Sequence, residues 1–229
     1  MTLLSIVQDA CDDIGFPSPA SVVGNSDADQ YLRLLNREGE ALSRWPWQAL
    51  IKEDTITLST ADQDYALATD FRYILPETQW NRDDRRQLVW LNSEEWQFFK
   101  GWTTVNGLNL RARIRNNELE FEQTIASGDN GKTIAYEYVS KYWTEDSGST
   151  AQQKFAADTD TSVLDEEILT LGLIWRFRKS KGLDFEADLI EYNRQVELAK
   201  AHDGAARMLR LGRAVRQHLG VNIPEGNYG

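Results

Sequence analysis

The residues whose types and spacing could do chemistry fall in a few short stretches. Ala126-Ser127-Gly128-Asp129-Asn130-Gly131-Lys132-Thr133 carries the lysine and threonine of a phosphate-binding loop. Ala126 stands where the first glycine belongs. The residues after Thr133 alternate like a strand, where phosphate capture needs a helix N-terminus. The stretch reads as a hairpin turn. Asp158-Thr159-Asp160 begins like a calcium loop, but Val163 occupies the glycine position and Leu169 the closing carboxylate position. It reads as solvated linker. Arg111, Arg113 and Arg115 form a stripe able to grip phosphates, yet Glu122, Glu120 and Glu118 can neutralise them one for one.

The remaining reactive types are sparse. Cys11, the only cysteine, falls on the apolar face of a helix with no base nearby to activate it, and it allows no intrachain disulfide. His202 and His218 have no second ligand at metal spacing, and a helix C-terminus accounts for His202. Glu94 and Glu95 could join a glycosidase pair, as carboxylates could in any acidic chain. No enzyme, metal centre or cofactor site is expected.

The elements that must position these residues are legible in several places. Leu164–Gly204 reads as two amphipathic helices with a tight join, an αα-hairpin. Asp165, Glu166 and Glu167 open the first helix; Arg176, Arg178, Lys179 and Lys181 close it before Gly182. Leu164, Ile168, Leu171 and Trp175 form one stripe, and Leu169, Leu173 and Phe177 widen it, so this helix should be buried on two sides. Asp184 can cap the second helix, with Phe185, Leu189, Tyr192, Val196 and Ala199 facing inward.

At the N-terminus, residues 2–14 predict a helix with Leu3, Leu4, Val7, Cys11 and Ile14 inside, ended by Gly15. Ser26 and Asp29 predict the start of a second, with Ala28, Tyr31, Leu35, Leu42 and Trp45 as its buried stripe. Trp45-Pro46-Trp47 closes it and reads as a seal, or else as an aromatic docking site.

The period changes at Ile51. Thr55–Leu58 and Tyr65–Leu67 predict a hairpin, Asp70–Leu75 a helical turn, and Gln79-Trp80 and Gln87–Leu91 short strands. Asn92 and Glu95 predict a capped short helix. Leu110–Glu122 predicts a hairpin turning at Asn116-Asn117, pairing 115 with 118, 113 with 120 and 111 with 122. Lys132–Tyr142 predicts the last strand and Thr144–Asp160 a linker.

Composition bounds the function. The 229 residues carry net charge −11, 27% charged and 10% aromatic side chains, including eight Trp, which indicates a folded chain. An acidic field repels a nucleic-acid backbone, which argues against a DNA-binding regulator and suits a surface past which DNA slides. No segment spans a membrane, and no secretory signal is expected. The segment 205–229 differs: four arginines against Glu225 alone give it net +3, leaving −14 for the rest. Arg207, Arg210, Leu211, Arg213, Arg216, Ile223 and Tyr228 mark it as a basic arm with interleaved apolar residues, suited to ordering on a protein partner.

The wording of Leu164–Gly204 (Leu-Asp-Glu, then Leu-Gly-Leu-Ile-Trp-Arg, then Lys-Gly-Leu-Asp), with Asp70-Phe71-Arg72 and the closing Asn222–Gly226, resembles the head-to-tail adaptor proteins of tailed bacteriophages. In short-tailed phages these are called tail tubular protein A. The resemblance implies an α+β fold: a helical bundle domain (1–47 with 145–204), an inserted antiparallel β domain (48–144) and an extended C-terminal arm (205–229). It implies a structural virion protein made in the host cytoplasm, forming a ring below the portal (a dodecamer in relatives). The arm would reach the portal protein, the ring would receive the tail nozzle or tube, and genomic DNA would pass through the lumen without specific binding. Two alternatives stay open: another connector or tail-terminator component, and a carbohydrate- or receptor-binding module using the Trp-rich β insert.

Overall fold

A computed structural model describes residues 1–101 and 109–204; the arm 205–229, with all seven of its marked residues, lies outside the described residues. The fold is mixed α+β. Helix α1 (Leu3–Ile14) is capped by Thr2 and Ser5 reciprocally and ends at Gly15 with φ +79°. Its buried face is Leu3, Ile6, Val7, Ala10 and Cys11. Helix α2 (Asp29–Leu42) starts later than Ser26 predicts. Ser26 Oγ turns to Asp27, while Asn25 accepts the Asp27 and Ala28 amides and makes the entry turn itself.

Ten short elements follow. Strands β1 (Ile51–Thr57), β2 (Asp64–Ala66), β3 (Phe71–Ile74), β4 (Trp80–Asn81), β5 (Arg86–Gln87) and β6 (Val89–Trp90) lead to α3 (Ser93–Gly101). Then come β7 (Arg111–Arg115), β8 (Glu118–Phe121) and β9 (Thr133–Ser140). The β7–β8 register is the predicted one, with Asn116 and Asn117 at φ +53° and +64° as a two-residue turn requires. The Asn92–Glu95 box is present in both directions, at 2.9 and 2.8 Å.

Four expectations are corrected here. β1 pairs not with β2 but with β9, over seven residues, and β2 pairs with β8. β9 is long enough to match all of β1, whereas β2 has only three residues. Asp70–Leu75 is not a helical turn: Phe71–Ile74 is strand β3, beside β9. Pro76 disfavours α geometry before it, and Asp70 is held by side chains of β1 and β9. The insert is not wholly antiparallel, since β6 runs parallel to β7; the connection through α3 is the crossover that parallel neighbours need. Thr144–Asp160 is not a linker. It holds β10 (Thr144–Glu145) and β11 (Ala151–Gln152), which with β12 (Thr161–Ser162) form a three-stranded sheet.

Two helices complete the order. In α4 (Glu166–Lys181) Asp165 accepts the Glu167 and Ile168 amides, and Gly182 adopts φ +71°. α4 packs against α1, α2 and α5 (Glu186–Asp203), which accounts for its burial on several sides. The predicted inward stripe of α5 does face the fold, with Val196 buried deepest. Trp45 is corrected: α2 ends at Leu42, so Trp45 turns outward and is 45% exposed.

Two apolar clusters organise the molecule. One joins α1, α2, α4 and α5 with Trp143 and Phe155; the other fills the space between the four- and five-stranded sheets. β9 serves both. Ile134, Tyr136 and Tyr138 belong to the sheet cluster, while Val139 belongs to the helical one.

Candidate functional site

The residues singled out for chemistry are occupied by structure. Lys132 Nζ lies 2.8 Å from Asp84 and 2.7 Å from Asp129, and β9 follows Thr133, so no phosphate loop forms. Asp158 accepts the Val22 and Val23 amides, and Asp160 those of Ala156 and Ala157. These carboxylates tie the loops around α1 together. Cys11 is fully buried beside Tyr31, and burial pushes its thiol up. Among the described residues no group of three His, Cys, Asp or Glu side chains is arranged to hold a metal.

The arginine stripe is doubly engaged. Arg111 pairs with Glu122 at 2.7 Å and Arg113 with Glu120 at 2.5 Å. Helix α3 then lies over them, with Arg113 3.8 Å from the Trp96 ring centre and Arg111 4.4 Å from that of Phe99. Neither guanidinium is presented to a phosphate backbone. On the β insert a shallow hollow of about 440 Å³ lies beside half-buried Trp80, where Arg82 is paired with Glu53 at 2.6 Å.

Two polar joints hold the helices to each other and to the sheet. At the first, Glu38 is 0% exposed on α2 and accepts from Arg176 Nε of α4 and from the Tyr192 hydroxyl of α5. Burial and the adjacent Glu38 carboxylate push the Tyr192 phenol far up. Gly172 leaves the space Glu38 fills: a Cβ there would overlap the Glu38 chain. The sequence did carry a signal for this, because Tyr31, Leu35, Glu38 and Leu42 recur at four, three and four.

The second joint is Asp70-Phe71-Arg72. Asp70 accepts from Lys52 at 2.7 Å and from Tyr138 and Ser140 at 2.8 Å. Arg72 makes a two-pronged pair with Glu40 at 3.0 and 3.2 Å. Burial alone would raise the Asp70 carboxyl; the hydrogen bonds from Lys52, Tyr138 and Ser140 outweigh it and hold the group below its ordinary range. A carboxylate with a depressed folded pKa stabilises above its unfolded pKa and loses that contribution as pH falls through the folded value. Asp70→Asn is therefore expected to lose about 1.5–3 kcal/mol at pH 7. The difference from wild type should shrink below about pH 4, read by urea denaturation at both pH values.

Several exposed apolar side chains lie on α5 and its surroundings. Ile190 is 70% exposed, with Leu183 and Leu198 also outward on or beside the same helix. Trp45 lies nearby under Lys200, at 4.7 Å. No helix among the described residues is long and apolar enough to cross a membrane. Such a surface fits a protein whose work is contact with other proteins.

Comparison with known families agrees. The family model described as SU10 adaptor protein matches residues 1–222. The chain belongs to the SU10 adaptor protein family. None of the curated proteins matches it significantly. As a phage adaptor, a structural component of the virion, it has an evident use for both joints. In this adaptor the Asp70-Phe71-Arg72 motif that carried the resemblance is the fastening between sheet and helix α2, and the Leu164–Gly204 motif supplies Gly172 and Arg176 to the buried Glu38.

Proposed function

We propose that this adaptor forms a ring below the portal vertex, extends the DNA channel and offers the tail nozzle or tube its attachment platform. The observation that carries this reading is the family match over residues 1–222, nearly the whole chain. In this reading α1, α2 and the α4–α5 hairpin act as the bundle domain, and the sheets of 48–144 act as the insert. The exposed apolar side chains of α5 support a further protein contact. The charge balance supports the channel role: a body at −14 repels DNA phosphates and lets the duplex slide.

The arm 205–229 is assigned to the portal, with Arg207, Arg210, Arg213 and Arg216 meeting carboxylates and Leu211, Ile223 and Tyr228 filling apolar sites. Class averaging by electron microscopy, with the portal protein encoded nearby, tests both parts. The full chain should give rings stacked coaxially on the portal. A chain ending at Gly204 should remain folded, because Val196 and the rest of the helical core precede that point, and should no longer join the portal. Portal binding by the shortened chain overturns the arm assignment. Failure of the full chain to assemble on the portal overturns the adaptor ring.

A further inference from the structure

Where α2 passes α4, Leu34, Arg37, Trp175, Arg176, Lys179 and Ser180 line a groove of about 230 Å³. Its polar groups are almost all donors. Arg176 is spent on Glu38, and Ser180 is spent on Gln30 and the Phe177 carbonyl at 2.8 and 2.7 Å. Arg37 and Lys179 are exposed and form no ion pair among the described residues. Trp175 is only 9% exposed, yet its indole N–H has no acceptor among the described residues. Buried donors are nearly always paired, so this one marks a missing acceptor. Arg176 and Lys179 lie 4.5 and 5.7 Å from the same indole ring, which makes the wall more cationic still.

We propose that this groove receives the acidic outer face of α1 from a second copy of the chain. The inference rests on the ring reading above and names the contact that builds it. Asp9, Asp12 and Asp13 are exposed on α1, which has no basic residue. The placement of the two faces is the second argument. At about 100° per residue, Trp175 and Phe177 point to opposite sides of α4. Phe16, just beyond the end of α1, meets Phe177 edge-on at 5.4 Å. The end of α1 therefore packs on the Phe177 side of α4, where Tyr31 also stacks at 4.9 Å, and not in the groove. A donor groove and a carboxylate row on different patches of the chain make a head-to-tail contact, the kind that closes into rings. A nucleic-acid phosphate is the poorer occupant, because two free cations face it from a body at −14.

The test is charge reversal, read by class averaging on the portal and by sedimentation velocity. Both substitutions in Arg37→Glu/Lys179→Glu are at exposed positions, so the fold should hold, with the thermal midpoint lowered by a few degrees because a carboxylate in place of Lys179 opposes the α4 dipole. The fraction of particles in rings is expected to fall roughly tenfold or more. Adding Asp9→Lys/Asp12→Lys/Asp13→Lys to the same chain should restore rings. Mixing the groove variant with a chain carrying only the α1 reversal should give rings in which the two chains alternate, since every contact is then complementary, native or reversed, while the α1-reversal chain alone should give none. Unimpaired rings in the groove variant overturn this contact while leaving the ring reading intact. So do failure of the combined chain to recover, and a loss of DNA affinity with ring formation unchanged. Absence of rings from the wild-type chain on the portal overturns both readings together.

Discussion

Glu38→Ala is expected to cost about 3–5 kcal/mol, among the largest losses available to a single substitution in this chain. Glu38 has no solvent exposure, and its two oxygens are the partners of Arg176 and Tyr192. Removing the carboxylate leaves a largely buried guanidinium without a counter-charge and a hydroxyl without its acceptor. The pair itself is a poor source of net stability, because taking both charges out of water offsets most of their attraction. Replacing both partners as well separates the two effects. Glu38→Leu with Arg176→Met and Tyr192→Phe should recover most of the loss. Urea denaturation measures it: the midpoint should shift with an unchanged slope in the single variant and largely return in the triple. A single variant within about 1 kcal/mol of wild type would show that the joint is dispensable.

Gly39→Ala should destabilise by about 1–3 kcal/mol, against the local trend. Alanine in a helix interior normally gains about 1 kcal/mol over glycine. Here a Cβ would overlap the ring of Trp143, which is fully buried and bounded by Phe155 at 5.1 Å between ring centres. The ring has no room to retreat, so overlap outweighs propensity. Differential scanning calorimetry should show a midpoint lowered by about 2–4 °C per kcal/mol for a chain of this length. Gly101→Ala, at the end of α3 with no described residue within 4 Å of an added Cβ, is the control and should move little.

What the sequence revealed about the fold follows physical range. The α4 start at Asp165 and stop at Gly182, the Asn92–Glu95 box and the turn at Asn116-Asn117 each depend on residues within a few positions of one another. All four are present, with Asp165 one step outside the first turn as its cap. The β7–β8 register was legible because Arg113 and Glu120 must face each other once that turn is set. Partners chosen across the chain were not legible. Alternation marks Thr55–Leu58 as a strand but cannot say that its neighbour lies near Ile134 rather than Tyr65. Two-residue strands such as Thr144–Glu145 have no period to detect.

The joints and the groove were hidden for a different reason. A helical glutamate normally faces water, although the spacing of Glu38 from Leu35 and Leu42 places it inside. Trp175 and Lys179 fit a core stripe and a C-terminal charge. Their meeting with Arg37 depends on how α2 crosses α4, and no local pattern encodes that crossing.

The shared strand β9 has a mechanical consequence. Tyr138 and Val139 are adjacent, yet one is anchored among the sheets and the other among the helices. A swivel between the two parts would have to drag one of these side chains out of its packing, so the chain lacks a soft hinge at that point. Torque applied to the sheets would reach the helices as a rigid turn, and the chain would work as a stiff lever.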